Sequence, residues 1–122
     1  MKKILLIEDD PFLIEIYKTK LIQEGFEVFV VNSGEEGLEF LKEKECDLLI
    51  LDLVLPKMDG WEFLERFKKE MPTKQTKILI LSNIEEKESK EKAKKFGVKN
   101  YLIKAHYTPS EVVKIIKDLL KY

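Results

Sequence analysis

The fold turns on Asp47-Leu48-Leu49-Ile50-Leu51-Asp52. This is the most hydrophobic short run in the chain, and such a continuous run reads as a strand covered on both faces. Upstream, Lys3-Ile4-Leu5-Leu6-Ile7 has the same character. Between the two the period changes. Asp10-Pro11 reads as a helix start, with Asp10 as N-cap and Pro11 at the first helical position. Leu13, Ile14, Tyr17 and Leu21 follow at helical spacing, and Gly25 closes the segment. A second strand spans Glu27 to Val31. Asn32-Ser33-Gly34 then turns into a second helix reaching Lys44, with Gly37, Leu38 and Leu41 facing inward.

Downstream, a loop from Leu53 to Gly60 precedes a helix with Leu64, Phe67 and Met71 on one stripe, which Pro72 ends. Lys77 to Ser82 reads as a fourth strand and Glu85 to Phe96 as a fourth helix closed by Gly97. Lys99 to Ile103 reads as a fifth strand, and Thr108-Pro109 opens a last helix carrying Val113, Ile116 and Leu120. This alternation predicts one α/β domain over residues 1–122, a parallel sheet with helices on both faces. Right-handed crossovers leave few topologies for it. No linker or repeat interrupts the pattern, so the sequence reads as a complete, stand-alone chain. The charged stretch from Glu85 to Lys92 has few apolar anchors beyond Ala93 and Phe96. It reads as a solvated face, and it makes the fourth helix the loosest element.

Composition narrows the function classes. With 122 residues, 44% hydrophobic, the chain can bury a core. Its 22 basic and 23 acidic residues give a net charge of −1, no general reason to expect nucleic acid or a membrane surface as partner. No apolar run approaches the ~20 residues of a membrane span. The single Cys46 excludes an internal disulfide and a cysteine zinc site, and the single His106 excludes a histidine-rich metal centre.

In open α/β sheets ligands bind beyond the carboxyl ends of the strands. Those ends carry Glu8, Asp9 and Asp10, then Asp52, then Ser82 and Asn83, then Lys104. Acids gathered around one point repel each other and call for a cation, and hard oxygens with room for water suit Mg²⁺. A lysine and a hydroxyl add donors for a phosphoryl group, so the set reads as a place where a carboxylate accepts one. Singly, most members have plainer roles. Asp10 is better placed as a helix cap, Glu8 and Asp9 alone only favour the helix dipole, and Lys104 can snorkel outward from a strand end. Ser82 is equally well placed to cap the fourth helix. Asp52 differs, because a carboxylate ending a nearly unbroken hydrophobic strand is costly without a partner.

With Ile7-Glu8-Asp9-Asp10, the Asp47 to Asp52 strand, Leu55-Pro56-Lys57-Met58-Asp59-Gly60, Ser82 and Lys104, the sequence resembles receiver domains of bacterial two-component response regulators from Lys3 to Leu120. The resemblance implies a flavodoxin-like, doubly wound five-stranded parallel sheet of order 2-1-3-4-5. It implies Asp52 as phosphoacceptor, with Asp9 binding Mg²⁺ directly, Glu8 mainly through water, and the Val54 backbone carbonyl as a further ligand. Lys104 would pair with the phosphoryl oxygens, Ser82 would move to hydrogen-bond them, and Tyr101 would turn inward as Ser82 moves. The implied donor is a phosphohistidine on a sensor histidine kinase or a phosphotransfer protein of a phosphorelay. The implied output is a partner contacting the fourth helix, fifth strand and fifth helix. The implied setting is cytoplasmic, and the chain would catalyse only its own phosphorylation and slow dephosphorylation.

Several positions depart from the pattern. Receivers usually follow the strand-five lysine with proline, but here Ala105 does, so a trans bond and a differently aimed Lys104 are expected. Asn83 replaces a small residue after Ser82 and is expected to narrow access to Asp52. Val54 and Ile84 offer no side-chain donor to orient water, which predicts a long-lived phosphoryl-aspartate. Gly60 is expected to take a positive φ, Lys57 and Met58 to be exposed partner contacts, His106 to be a solvated loop residue, and Trp61 and Phe63 to pack. Val112, Ile115 and Leu119 widen the last helix's apolar stripe; they read as core, with a weak homodimer as the alternative to a monomer. Three other functions compete: a scaffold working without phosphorylation, an aspartyl-phosphate hydrolase and a flavodoxin-like electron carrier. The scaffold has no need of the acids, lysine and hydroxyl. The hydrolase typically wants an acid where Val54 stands, and the acidic Glu8-Asp9-Asp10 loop repels a flavin phosphate.

Overall fold

All four residues of Ile4-Leu5-Leu6-Ile7 are apolar because a layer covers each face of the sheet: Leu5 and Ile7 enter one core, Ile4 and Leu6 the other. The computed structural model describes residues 1–121. Its strands are β1 (Lys3–Ile7), β2 (Glu27–Val31), β3 (Leu48–Leu51), β4 (Lys77–Ser82) and β5 (Asn100–Ile103). The helices are α1 (Pro11–Gln23), α2 (Gly34–Glu43), α3 (Gly60–Glu70), α4 (Lys87–Lys95) and α5 (Pro109–Leu120). A short 3₁₀ turn, Lys104–His106, follows β5.

All neighbouring strands are parallel, in the order β2-β1-β3-β4-β5. Because side chains alternate across a strand, Leu5, Ile7, Leu49, Leu51, Ile78 and Ile80 face one layer, with Leu38, Leu41, Phe63, Leu64 and Phe67 from α2 and α3. Ile4, Leu6, Leu48, Ile50, Leu79 and Leu81 face the other, with Tyr17 and Leu21 of α1 and Val112, Val113, Ile116 and Leu120 of α5. Complete burial of each such side chain stabilises the fold by about 1.5–3 kcal/mol. Ile115 and Leu119 are half-buried beside this set, so most of the apolar stripe on α5 is spent on packing.

The helix starts follow local chemistry. Asp10 Oδ1 accepts from Phe12 N–H at 2.9 Å, Ser33 Oγ from Glu36 N–H at 3.2 Å, and Asp59 Oδ1 from Glu62 N–H at 2.9 Å. Thr108 and Glu111 form a reciprocal capping box on α5. The start of α4 has no side-chain cap, and Ala93 is its only buried residue. Its far end is held differently: the Phe96 ring stacks on Trp61 at 6.2 Å, and Lys92 Nζ sits 4.8 Å above Trp61.

The loop after β3 departs from the expectations in two ways. Met58 is buried at 4% exposure, not a surface contact, because its thioether packs over Gly34. Lys57 is exposed and carries the positive φ of the loop, 64°, whereas Gly60 is the first residue of α3 with no such conformation. Gly60 is needed for close approach: a Cβ there would lie 2.7 Å from Leu53 Cα and 2.9 Å from the Asp52 carbonyl oxygen. Both are backbone atoms that cannot swing aside. Gly60→Ala is therefore expected to destabilise the chain by about 2 kcal/mol in a denaturant titration. Gly37→Ala, whose Cβ would meet the far end of the Ile7 side chain, is expected to cost less.

Element boundaries shift slightly. The third strand is Leu48–Leu51, which leaves Asp47 and Asp52 just outside it, and the fourth helix is Lys87–Lys95. Asp47 instead accepts from Lys3 N–H through Oδ2 at 2.7 Å. Among the described residues, no helix is long and apolar enough to cross a membrane.

Candidate functional site

The chain runs from β1 outward to β2 and then returns to place β3 on the other side of β1. Such a reversal opens a crevice beyond the strand ends, where no connecting loop covers them. Glu8 and Asp9 leave β1 at this point, and Asp52 leaves β3 beside them. One carboxylate oxygen from each of Glu8, Asp9 and Asp52 lies within 4.8 Å of the others.

Glu8 and Asp52 are buried and Asp9 is exposed. Glu8 Oε2 accepts the backbone N–H groups of Asp9 at 3.1 Å and Asp10 at 3.2 Å. Asp52 Oδ1 accepts from Val54 N–H at 3.2 Å. Lys104 Nζ bridges the remaining oxygens, 2.9 Å from Glu8 Oε1 and 2.8 Å from Asp52 Oδ2. Among the described residues no peptide bond is cis, yet Lys104 is aimed into the site, not elsewhere as expected from Ala105. Burial works against the Lys104 charge, but hydrogen bonds to Asp52 and Glu8 outweigh it and raise its pKa above the usual 10.5. An upward shift means the bridge stabilises the folded state throughout neutral pH and is lost only as pH climbs beyond the ordinary lysine range.

Three carboxylates against one ammonium leave the cluster net negative, and all its ligand atoms are hard oxygens. That donor set fits a divalent cation such as Mg²⁺. Val54 is 63% exposed, so the rim of the site beside Asp52 is apolar and open.

Ser82 ends β4 fully buried, its Oγ accepting from Ile84 N–H at 3.3 Å. Tyr101 on β5 is half-buried, and its hydroxyl donates to the Ile84 carbonyl at 2.7 Å. Both therefore act on the same residue of the β4–α4 loop, Ile84, one on each of the peptide units that flank it. Burial, partly offset by a hydrogen bond from Ser89, raises the Tyr101 pKa, so it stays a neutral donor. Asn83 is exposed, and its Oδ1 accepts from Ala105 N–H at 3.0 Å in the turn after β5. His106 is exposed as expected but not free: its Nε2 lies 3.1 Å from Glu85 Oε1. Cys46 lies buried at the opposite end of the sheet, where burial pushes its thiol up to about 11. It is no competing nucleophile.

The sequence placed Glu8, Asp9, Asp52, Ser82 and Lys104 at one sheet edge, and the structure has them at the carboxyl ends of β1, β3, β4 and β5, whereas Tyr101, implied by the family resemblance, lies within β5. What the sequence did not foresee is Glu8 as the second partner of Lys104, or the contact between Asn83 and Ala105. Neither leaves a local signal, because the partners of Lys104 lie 96 and 52 residues away in the chain.

This arrangement is that of a known class. Residues 4–117 match the response regulator receiver domain family, and the chain belongs to it. It is 34% identical over 113 residues to the cell cycle response regulator CtrA of Brucella ovis, covering 93% of this chain and 48% of that protein. The chain thus spans about half the length of the curated relatives it matches. Among solved structures it is similar to a CheY-like receiver domain protein from Methanospirillum hungatei, with 28% identity and a TM-score of 0.89 over 99% of this chain and 94% of that one. A putative response regulator from Chloroflexus aurantiacus matches at 30% identity and a TM-score of 0.85, over 99% of this chain and 98% of that one.

Proposed function

We propose that residues 1–122 work as one phosphorylation-dependent switch in which Asp52 accepts a phosphoryl group from a phosphohistidine. The observation that carries this reading is the Asp52 carboxylate held at the crevice with Lys104 Nζ at 2.8 Å and two further acids beside it. Asp52 attacks phosphorus, the new O–P bond forms as the P–N bond breaks, and the electron pair leaves with the donor imidazole. Lys104 holds Asp52 in place beforehand and meets the developing charge on the phosphoryl oxygens. Ser82 supplies a hydroxyl once it exchanges Ile84 N–H for the phosphoryl group, and Tyr101 reads that exchange through the Ile84 carbonyl. Asp9, Asp52, the Val54 carbonyl and, through water, Glu8 would hold Mg²⁺. A bound Mg²⁺ supplies neutralisation of the negative charge that gathers during transfer.

The donor is a sensor histidine kinase or phosphotransfer protein in the cytoplasm, and the downstream partner reads the surface formed by α4, β5 and α5. The uncapped start of α4 supports that surface as the mobile one. Incubation with a small phosphodonor and Mg²⁺ is expected to form an acyl phosphate that hydroxylamine cleaves. No such adduct, together with no binding of beryllofluoride, would favour the phosphorylation-independent scaffold.

The adduct should decay slowly, because exposed Val54 and half-buried Ile84 present no group to orient water. Val54→Asn combined with Ile84→Glu is expected to shorten its lifetime by on the order of tenfold in a phosphate-release assay. An unchanged lifetime would show that access, not orientation of water, limits hydrolysis.

A further inference from the structure

Two loops carry the groups assigned above to the phosphoryl group: Ser82 ends β4, and Lys104 begins the turn after β5. The residue following each joins them. Ala105 N–H donates to Asn83 Oδ1 at 3.0 Å, and His106 and Glu85 make a second link between the same loops at 3.1 Å. The turn Lys104–His106 follows Ile103, whose side chain cannot cap it, so its first N–H groups need partners from elsewhere in the chain. Asn83 supplies one. A proline at position 105 would have no N–H to donate, and an alanine at position 83 no oxygen to accept it. The two departures noted in the sequence are thus the two halves of one hydrogen bond.

We propose that Asn83 is a positioning residue for Lys104. The lysine side chain is long and flexible, and it must span from β5 to oxygens of both Glu8 and Asp52. Fixing the peptide next to its Cα restricts where that side chain starts. The same bond couples the strand end bearing Ser82 to the turn bearing Lys104, so the two phosphoryl contacts move together. The kinetic consequence rests on Asp52 being the phosphoacceptor, whereas the geometric one does not.

The test uses the full chain as parent, Asn83→Ala, Ala105→Pro and the double variant, each checked for cooperative unfolding. The first readout needs no phosphorylation: hydrogen exchange of the Ala105 amide, and the NMR signal of the Lys104 ammonium, which is visible when the group is held away from free exchange. Asn83→Ala is expected to speed Ala105 amide exchange at least tenfold and to weaken the Lys104 signal. The second readout is phosphoryl uptake from phosphoramidate with Mg²⁺, expected to slow about fivefold to tenfold in Asn83→Ala. In the Ala105→Pro background, adding Asn83→Ala is expected to change uptake by less than about twofold, since the donor is already gone. Equal losses in both backgrounds, or an unchanged Lys104 signal in Asn83→Ala, would overturn the proposal. If Ala105→Pro does not fold, Asn83→Asp replaces it: an acceptor oxygen at the same reach must restore Ala105 protection, and failure to do so overturns the proposal equally. A parent chain that takes up no phosphoryl group refutes the proposed function and leaves the NMR arm to decide the positioning role.

Discussion

Replacing Asp52 by asparagine is expected to abolish phosphoryl uptake while leaving the chain folded. The carboxamide has no anionic oxygen to attack phosphorus; Ser82 is fully buried with its Oγ engaged by Ile84 N–H, Cys46 lies at the far end of the sheet, and the acids left at the crevice, Glu8 and Asp9, are those assigned above to the cation. Folding should survive for an electrostatic reason. The substitution removes one of three clustered acids, and Lys104 keeps its 2.9 Å partner Glu8. Lost attraction and relieved repulsion offset each other. Intact mass and a thermal melt, run on the same sample, check both halves. Uptake persisting in the variant would move the chemistry off Asp52.

Lys104→Met should act on stability as well as chemistry. Without the ammonium, Glu8 and Asp52 are left as buried acids beside Asp9, with no cation from the protein. Breaking a buried pair in this way is expected to destabilise the chain by about 3 kcal/mol when no divalent cation is present. Because Lys104 and a divalent cation compensate the same carboxylates, Mg²⁺ should stabilise this variant more than the parent. A ligand at a hundredfold excess over its dissociation constant contributes about 2.7 kcal/mol. Phosphoryl uptake should fall on the order of 10²-fold, the usual effect of removing one donor to developing charge. Thermal melts with Mg²⁺ and with chelator read the first effect. An equal Mg²⁺ response in parent and variant would show that the cation does not sit among these acids.

Much of this was legible because the information is local. Short apolar runs gave the strands, Asp10-Pro11 and Thr108-Pro109 gave two helix starts, and both caps are formed as read. The gathering of Asp9, Asp52, Ser82 and Lys104 followed from parallel strands, which bring all their carboxyl ends to one edge. The strand order needed more than periodicity; it came from the resemblance to the receiver family. What escaped depends on distant partners. Met58 is buried because Gly34, on another element, leaves room for its thioether, and no period in an irregular loop announces that. In the sequence Gly60 reads as a turn glycine, whereas its constraint is the Leu53 and Asp52 backbone pressed against it. The hold of Trp61 on Phe96 and Lys92 likewise joins α3 to α4 across the fold.

The central claim is that Asp52 carries the phosphoryl group, and borohydride reduction tests it most directly. Hydride cleaves an acyl phosphate to the alcohol and releases phosphate, so the phosphorylated aspartate is recorded permanently as homoserine. After incubation with a small phosphodonor and Mg²⁺, peptide mass mapping is expected to find that conversion at Asp52 and nowhere else, and to find none when a chelator replaces Mg²⁺. Conversion at Asp9 or Glu8, or none anywhere in a chain that binds Mg²⁺, would contradict the account.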